Sequence, residues 1–388
     1  MNKKNKATKA DTALAHDPSH AEGAIAPPVY QSSLFVFDDF DAMVARYRGD
    51  SEQVVYSRVD NPTVTLLQDK VAALEAGEAA RAFASGMGAI SNTILSIVEP
   101  GEQVVCVRHV YPDTYRFLRG FCDRIGIETT FVDGCDTDAV IAALPGARLL
   151  YLESPNSWMM QEQDIRALAS AAKAEGVTVM ADNSWATPLF QAPLELGVDV
   201  VVHSASKYLS GHSDVVAGMV VGSLELVEKI DALVRPYLGA CLSPHNAALI
   251  LRGLRTLPIR MQRHAETGLE LARRLSGHAG ATAVHHPGLD PHPRSALSGY
   301  GSLFSIELAP EVDVRTFCNA LRLFRLGVSW GGYESLVVPA MVGRNQAGLH
   351  NSAVDFDVPE RMVRLYAGLE DVEDLWRDLE SALASASA

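Results

Sequence analysis

Several things are scarce or missing in this chain of 388 residues, and each absence excludes something. Cysteine is rare: Cys106, Cys122, Cys135, Cys241 and Cys318 are scattered and contain no C-x-x-C pair. An odd number of such thiols fits a reducing compartment, so a cytoplasmic protein is expected. No run of about 18 uninterrupted apolar residues occurs, which excludes a membrane-spanning helix. The basic start MNKKNKATK is not followed by the apolar core of a secretory signal. Positive charge is outnumbered, 33 Lys and Arg against 47 Asp and Glu, and the balance of −14 argues against nucleic acid and anionic membranes. The G-x-G-x-x-G dinucleotide fingerprint is absent. His285, His286 and His292 sit in a Pro/Gly-rich stretch without helical or C-x-x-C spacing, so they read as a loop and no metal is expected.

What is present centres on residues 182–211, from DNSWATPLF to HSASKYLSG. Residues 177–180 are an apolar run ending at Asp182, and residues 198–202 are a second, ending just before Lys207. Both read as buried strands of a parallel sheet. They deliver a carboxylate, the hydroxyls of Ser204 and Ser206, and the amine of Lys207 to one sheet edge. Pyridoxal phosphate (PLP) needs that set: a Schiff-base lysine, phosphate donors, and an anion facing the pyridine nitrogen. A lone S-A-S-K could equally be a turn carrying a solvated lysine.

Other segments supply context. Pro62 opens a helix with Val64, Leu67, Val71 and Leu74 at helical spacing. FASGMGAI (83–90) is a glycine-rich turn opening another helix, whose free N–H groups favour phosphate. Residues 163–175 carry Ile165, Leu168, Ala169 and Ala172 on one face, as a crossover helix does. Strand and helix alternate from about residue 80 to 222, implying a mostly parallel, helix-covered sheet. Residues 244–276 read as helical, with Pro258 as a kink or interruption. Residues 301–308 alternate like a strand opening a small α+β unit.

Taken together, DNSWATP, HSASKYLSGHSD, YSRVDNPT and RLYAGLEDVEDL closely resemble the Cys/Met-metabolism PLP-dependent enzymes, over about residues 27 to 379. The family includes cystathionine lyases and synthases, methionine γ-lyase and acylhomoserine sulfhydrylases. The resemblance implies PLP fold-type I: an α/β unit with a mostly parallel sheet and a smaller α+β C-terminal domain. The domains expected are a segment at 1–55 touching a neighbouring subunit, a PLP-binding unit at 56–245, and a C-terminal unit at 246–388. Residues 1 to about 24 are expected to be a flexible arm.

Residue by residue, the resemblance makes Lys207 the Schiff-base lysine and Asp182 the partner of the ring nitrogen. Tyr111 would stack on the ring, and Gly86, Met87, Ser204 and Ser206 would hold the phosphate. Tyr56 and Arg58 would cross a subunit boundary to a neighbour's phosphate, which implies a homotetramer with shared sites. Arg364 would clamp the substrate α-carboxylate, with Ser329 and Trp330 on a substrate-facing loop. Asn156 stands one place early for the family's asparagine, and Ser157 occupies that asparagine's place. Where relatives read TyrGlyGlyThr, this chain has Tyr111, Pro112 and Asp113. Two readings of Asp113 stand level: recognition of a cation at the far end of the substrate, or a helix N-cap. The expected activity is a carbon–heteroatom lyase acting on a β- or γ-substituted amino acid that is cystathionine-, methionine- or canavanine-like. Trp330 and Ser157 favour the β-position, while Arg116 and Val328 favour γ, and Arg116 tips the balance to γ-elimination. The alternatives are a γ-replacing transferase and a non-catalytic relative.

Overall fold

The computed structural model describes residues 9–17, 23–348 and 350–387. Seven short strands build the larger sheet: β1 (Ala79–Phe83), β2 (Gln103–Val107), β3 (Glu128–Val132), β4 (Leu149–Glu153), β5 (Thr178–Asp182), β6 (Val200–His203) and β7 (Gly218–Gly222). Their order is β1-β7-β6-β5-β4-β2-β3. Only β7 reverses, pairing antiparallel with both β1 and β6. The central strands β4, β6 and β7 are buried along their whole length. Both faces are covered, so these strands read as unbroken apolar runs rather than alternating ones.

One face packs on the helices Gly86–Ile97 and Ile165–Ala174, around Ile90, Ile94, Leu168 and Val201. The opposite face packs on Pro62–Leu74 and Pro244–Leu254, around Leu67, Val71, Ile250 and Met219. Because five neighbouring strands run parallel, β4, β5 and β6 all end on one edge. Glu153, Asp182 and His203 terminate them there, the edge where ligands bind in open α/β sheets.

A second sheet follows, with β8 (Ala281–His285), β9 (Leu303–Leu308), β10 (Arg325–Leu326), β11 (Leu336–Pro339) and β12 (Met362–Tyr366). Its order is β10-β11-β12-β9-β8, antiparallel apart from β10 with β11. The helices Leu257–Ser276, Val314–Ala320 and Val372–Ala386 cover it. The helical stretch around Pro258 is interrupted at Arg255 and Thr256, and Pro258 falls in the first turn of the second helix. A proline there costs no hydrogen bond, since that N–H has no intrahelical partner.

Two expectations need correcting. Residues 10–15 are helical, and Leu14 is fully buried. The Lys70 ammonium donates to the carbonyls of Ala13 (3.0 Å) and His16 (3.2 Å) and pairs with Asp17 at 2.7 Å. A flexible arm therefore does not describe residues 10–17, while 1–8 and 18–22 lie outside the described residues. His285 is likewise no loop residue: it ends β8 and meets Glu307 of β9 at 2.8 Å.

Candidate active site

The turns after β5 and β6 are tied together by one hydroxyl. Ser184 donates to Asp182 Oδ1 through both its N–H (2.9 Å) and its Oγ (2.6 Å), and that Oγ accepts from the N–H of Ser204 (2.7 Å). Asp182 Oδ2 takes no hydrogen bond from any described residue. Burial pushes the Asp182 carboxyl above its usual range, against the hydrogen bonds from Ser184 and the pull of His203 and Lys207. Two residues beyond Ala205, Lys207 is half-buried and donates to Ser329 Oγ. Its ammonium lies 5.4 Å from the ring centroid of Trp330. Burial, reinforced by the Arg364 cation and opposed by Asp182, brings its pKa down to about 8. An amine so placed has a far larger neutral fraction near physiological pH than an ordinary lysine, as a nucleophile or base requires.

The loop holding Ser329 presses on the lysine from the other sheet. Gly331 has φ +94°, and a Cβ there would come within 2.6 Å of Lys207 Cα, so only glycine permits this approach.

The helix Gly86–Ile97 points its N-terminus at the same edge. Ser85 caps it by accepting from the N–H of Gly88 (2.9 Å), leaving the N–H groups of Gly86 and Met87 among the free donors of the first turn. A Cβ on Gly86 would stand 3.0 Å from both Cβ and Oγ of Ser204. The turn and Ser204 therefore form one cradle at an anion-favouring helix end. Ser206 is turned toward β7: its hydroxyl donates to the carbonyl of Ala217 (3.1 Å) and accepts from the N–H of Ala217 (2.9 Å). Tyr56 and Arg58 are not brought to this cluster. Arg58 donates to the carbonyl of Pro236 (2.7 Å) and lies 5.8 Å from the Tyr56 ring centroid.

Glu153, which the sequence reading did not single out, organises the remaining wall. Its Oε2 accepts from the N–H of Tyr111 (2.7 Å) and its Oε1 from the hydroxyl of Ser157 (2.6 Å). The carbonyl of Ser157 in turn accepts from Arg364 Nη1 (3.2 Å), and the Arg364 guanidinium lies 5.0 Å from the Trp158 ring centroid. Arg364 Nε is buried without a partner among the described residues. An unmatched buried donor costs about 1–3 kcal/mol, and a ligand carboxylate would relieve it. The signal for Glu153 was available, as an acidic residue closing an otherwise apolar strand beside Asp182.

Tyr111 itself caps the short helix Pro112–Arg116, which has no side-chain cap. Asp113 is thus the second helical residue, and the N-cap reading fails. Its carboxylate accepts instead from the Tyr111 hydroxyl (2.8 Å) and from Arg116 Nη1 (2.7 Å). Burial first and Asp113 second raise the Tyr111 pKa, so the phenol keeps its proton at any physiological pH. Asn156 closes its own loop: Oδ1 accepts from the N–H groups of Met159 (3.1 Å) and Gln161 (3.2 Å), and Nδ2 donates to Gln161 Oε1 (3.0 Å). Those bonds satisfy the buried amide within its own loop.

The donor set fits PLP. The free oxygen of Asp182 suits a protonated ring nitrogen, the Gly86–Ser204 cradle a phosphate, and the Lys207 amine an aldehyde. Among the described residues, no cluster of three or more His, Cys, Asp or Glu could hold a metal ion.

Comparison with known proteins agrees with this geometry. The family model "Cys/Met metabolism PLP-dependent enzyme" matches residues 10–384. An L-methionine γ-lyase from Pseudomonas putida is 40% identical over 380 residues, covering 96% of each chain. A cystathionine γ-synthase from Mycobacterium bovis is 38% identical, covering 94% of each. The crystal structure of a cystathionine γ-lyase from Lactobacillus plantarum, complexed with L-serine, superposes with a TM-score of 0.91 at 34% identity, covering 98% of this chain and 100% of that one.

Proposed function

This chain belongs to the Cys/Met-metabolism PLP-dependent enzymes, and from that premise we propose that it is a lyase eliminating the γ-substituent of an L-amino acid such as methionine. The observation that carries the proposal is the half-buried amine of Lys207, flanked by Asp182 and by an Arg364 with an unpartnered Nε. Bound PLP supplies an electron sink that stabilises negative charge at the substrate α-carbon.

The chain's own residues do the rest. Arg364 binds the α-carboxylate through a planar fork that fixes the orientation of the amino acid. Asp182 holds the proton on the ring nitrogen by Coulomb attraction in a buried site. The Lys207 amine would join the aldehyde in the resting protein and, when free, would serve as the base toward the Cα proton. Departure from Cγ also needs a proton taken from Cβ, which the same amine could take only after passing the first proton on. Tyr111, protonated and hydrogen-bonded to Asp113, can deliver a proton to the leaving group. Gly86, Met87 and Ser204 would hold the phosphate, with Ser206 bracing the loop behind them.

A homotetramer with shared sites is part of this reading. Val36, Phe40 and Tyr47 of the N-terminal segment and Tyr237 of the 235–238 turn are between 71% and 79% exposed, an apolar surface that a second subunit would cover. Tyr56 and Arg58 would then complete a neighbour's phosphate site. A cytoplasmic location accords with the five free cysteines. A γ-replacing transferase is the second reading, favoured by Arg116 and by the relatives named cystathionine γ-synthase.

The test is an assay of the purified, PLP-loaded protein against methionine, cystathionine, cysteine, canavanine and acylhomoserines, with and without added thiol. Four-carbon oxo acid from methionine supports γ-elimination. Pyruvate alone, or product only when thiol is added, would replace it with β-elimination or γ-replacement.

A further inference from the structure

The helix Pro112–Arg116 carries an ion pair that the elimination chemistry does not use. Arg116 Nη1 lies 2.7 Å from Asp113 Oδ1, and its Nη2 donates to Gln346 Oε1. The other Asp113 oxygen accepts from the Tyr111 hydroxyl. Both charged groups therefore have both ends engaged. An exposed pair three residues apart on a helix is usually weak. Here a third and a fourth residue, from the site and from a distant loop, fix its geometry.

The pair is joined to the active site through Tyr111, whose backbone N–H is held by Glu153 and whose phenol lies in the field of both Arg364 and Arg116. If Arg364 holds the α-carboxylate, the end of the substrate side chain that passes the Tyr111 hydroxyl meets Asp113 and Arg116 next. An unpaired arginine at that place would be a fork for a second carboxylate. An unpaired aspartate would attract an ammonium or guanidinium. Together they present no net charge. Of the other charges near this helix, Arg119 lies 4.0 Å from Asp123 and Arg344 lies 3.6 Å from Glu360, while Asp355 takes the hydroxyl of Tyr115 and is paired with no cation among the described residues.

We infer that the Asp113–Arg116 pair is a specificity device, which makes the pocket select amino acids whose side chain ends in an uncharged group over those ending in a carboxylate or a cation. This rests on the lyase reading above and narrows it to methionine-like substrates over cystathionine-like ones.

The test uses three amino acids with no leaving group on Cβ or Cγ: L-norleucine (neutral end), L-2-aminoadipate (anionic end) and L-lysine (cationic end). Their equilibrium binding to the PLP-loaded protein is measured by calorimetry. The native chain should bind norleucine tightest, by about tenfold or more over each of the others. Asp113→Asn frees the arginine and should move the norleucine-to-aminoadipate ratio about tenfold toward aminoadipate. Arg116→Gln frees the aspartate and should move the norleucine-to-lysine ratio toward lysine by a similar factor. Opposite shifts from neighbouring substitutions are not what loss of a merely structural contact produces. A native chain that binds either charged probe as well as norleucine overturns the inference, and so do variants that change all three affinities alike. Absence of binding by all three overturns the lyase reading, and this inference with it.

Discussion

Glu153 and Asp182 stand directly opposite each other at the ends of the adjacent parallel strands β4 and β5, both buried and with no cation among the described residues bonded to either. Strands run about 4.8 Å apart, and two like charges at that spacing repel by about 3 kcal/mol in an effective dielectric near 20. Together with burial, this keeps one of the two carboxyls protonated. Desolvation first and Asp182 second push Glu153 above the ordinary carboxylate range, so Glu153 is the member that keeps the proton. Asp182 is left free to carry charge against a ring nitrogen.

A pH dependence of stability follows. Below the ordinary carboxylate value, Glu153 is protonated whether the chain is folded or not. Above it the unfolded chain releases this proton while the folded chain retains it, so the folded state loses stability as pH climbs toward the raised value. Glu153→Gln cannot ionise. Thermal midpoints of the cofactor-free proteins between pH 5 and 9 should therefore show the variant gaining on the native chain as pH rises. A difference that stays constant with pH would remove the claim.

Shared sites can be tested by complementation. Lys207→Ala should abolish turnover and leave no borohydride-reducible bond to PLP, while Arg58→Ala should weaken PLP binding by loss of a phosphate contact. If Arg58 serves a neighbour, unfolding and refolding the two inactive variants together should restore part of the activity, because some sites then receive both native residues. Mixtures as inactive as their parents would confine Arg58 to its own chain.

Arg364→Lys keeps the charge and loses the fork. Breaking a buried charge-assisted pair of this kind costs at least about 2 kcal/mol. A ~30-fold fall in kcat/KM is expected, carried mainly by KM. An unchanged KM would show that the α-carboxylate is held elsewhere.

The sequence made the chemistry at the edge of the large sheet legible because its parts are local. Asp182 ends a run of buried residues, and Lys207 follows another by a short turn. Gly86 opens a helix that periodicity alone identifies. Side chains whose role depends on what reaches them from far along the chain were less legible. Asp113 read equally as a helix cap or as the partner of a substrate cation, because its tie to Tyr111 and Arg116 is set by where the helix begins, two residues earlier than a cap at Asp113 implies. Asn156 was named through resemblance alone, because the bonds its amide makes to Met159 and Gln161 depend on how the loop closes. Residues 10–17 read as an arm because one buried leucine and an aspartate paired to Lys70 and Arg255 leave little trace in composition.

The contact of Gly331 with the main chain of Lys207 has a mechanical meaning. No slack exists between the second sheet's loop and the residue that performs the chemistry, so the smaller unit cannot tilt away while leaving the amine where it is. A displacement of this loop would be felt at the main chain that carries the reactive nitrogen. Enlarging that glycine would push the loop off the main chain of Lys207 and Tyr208.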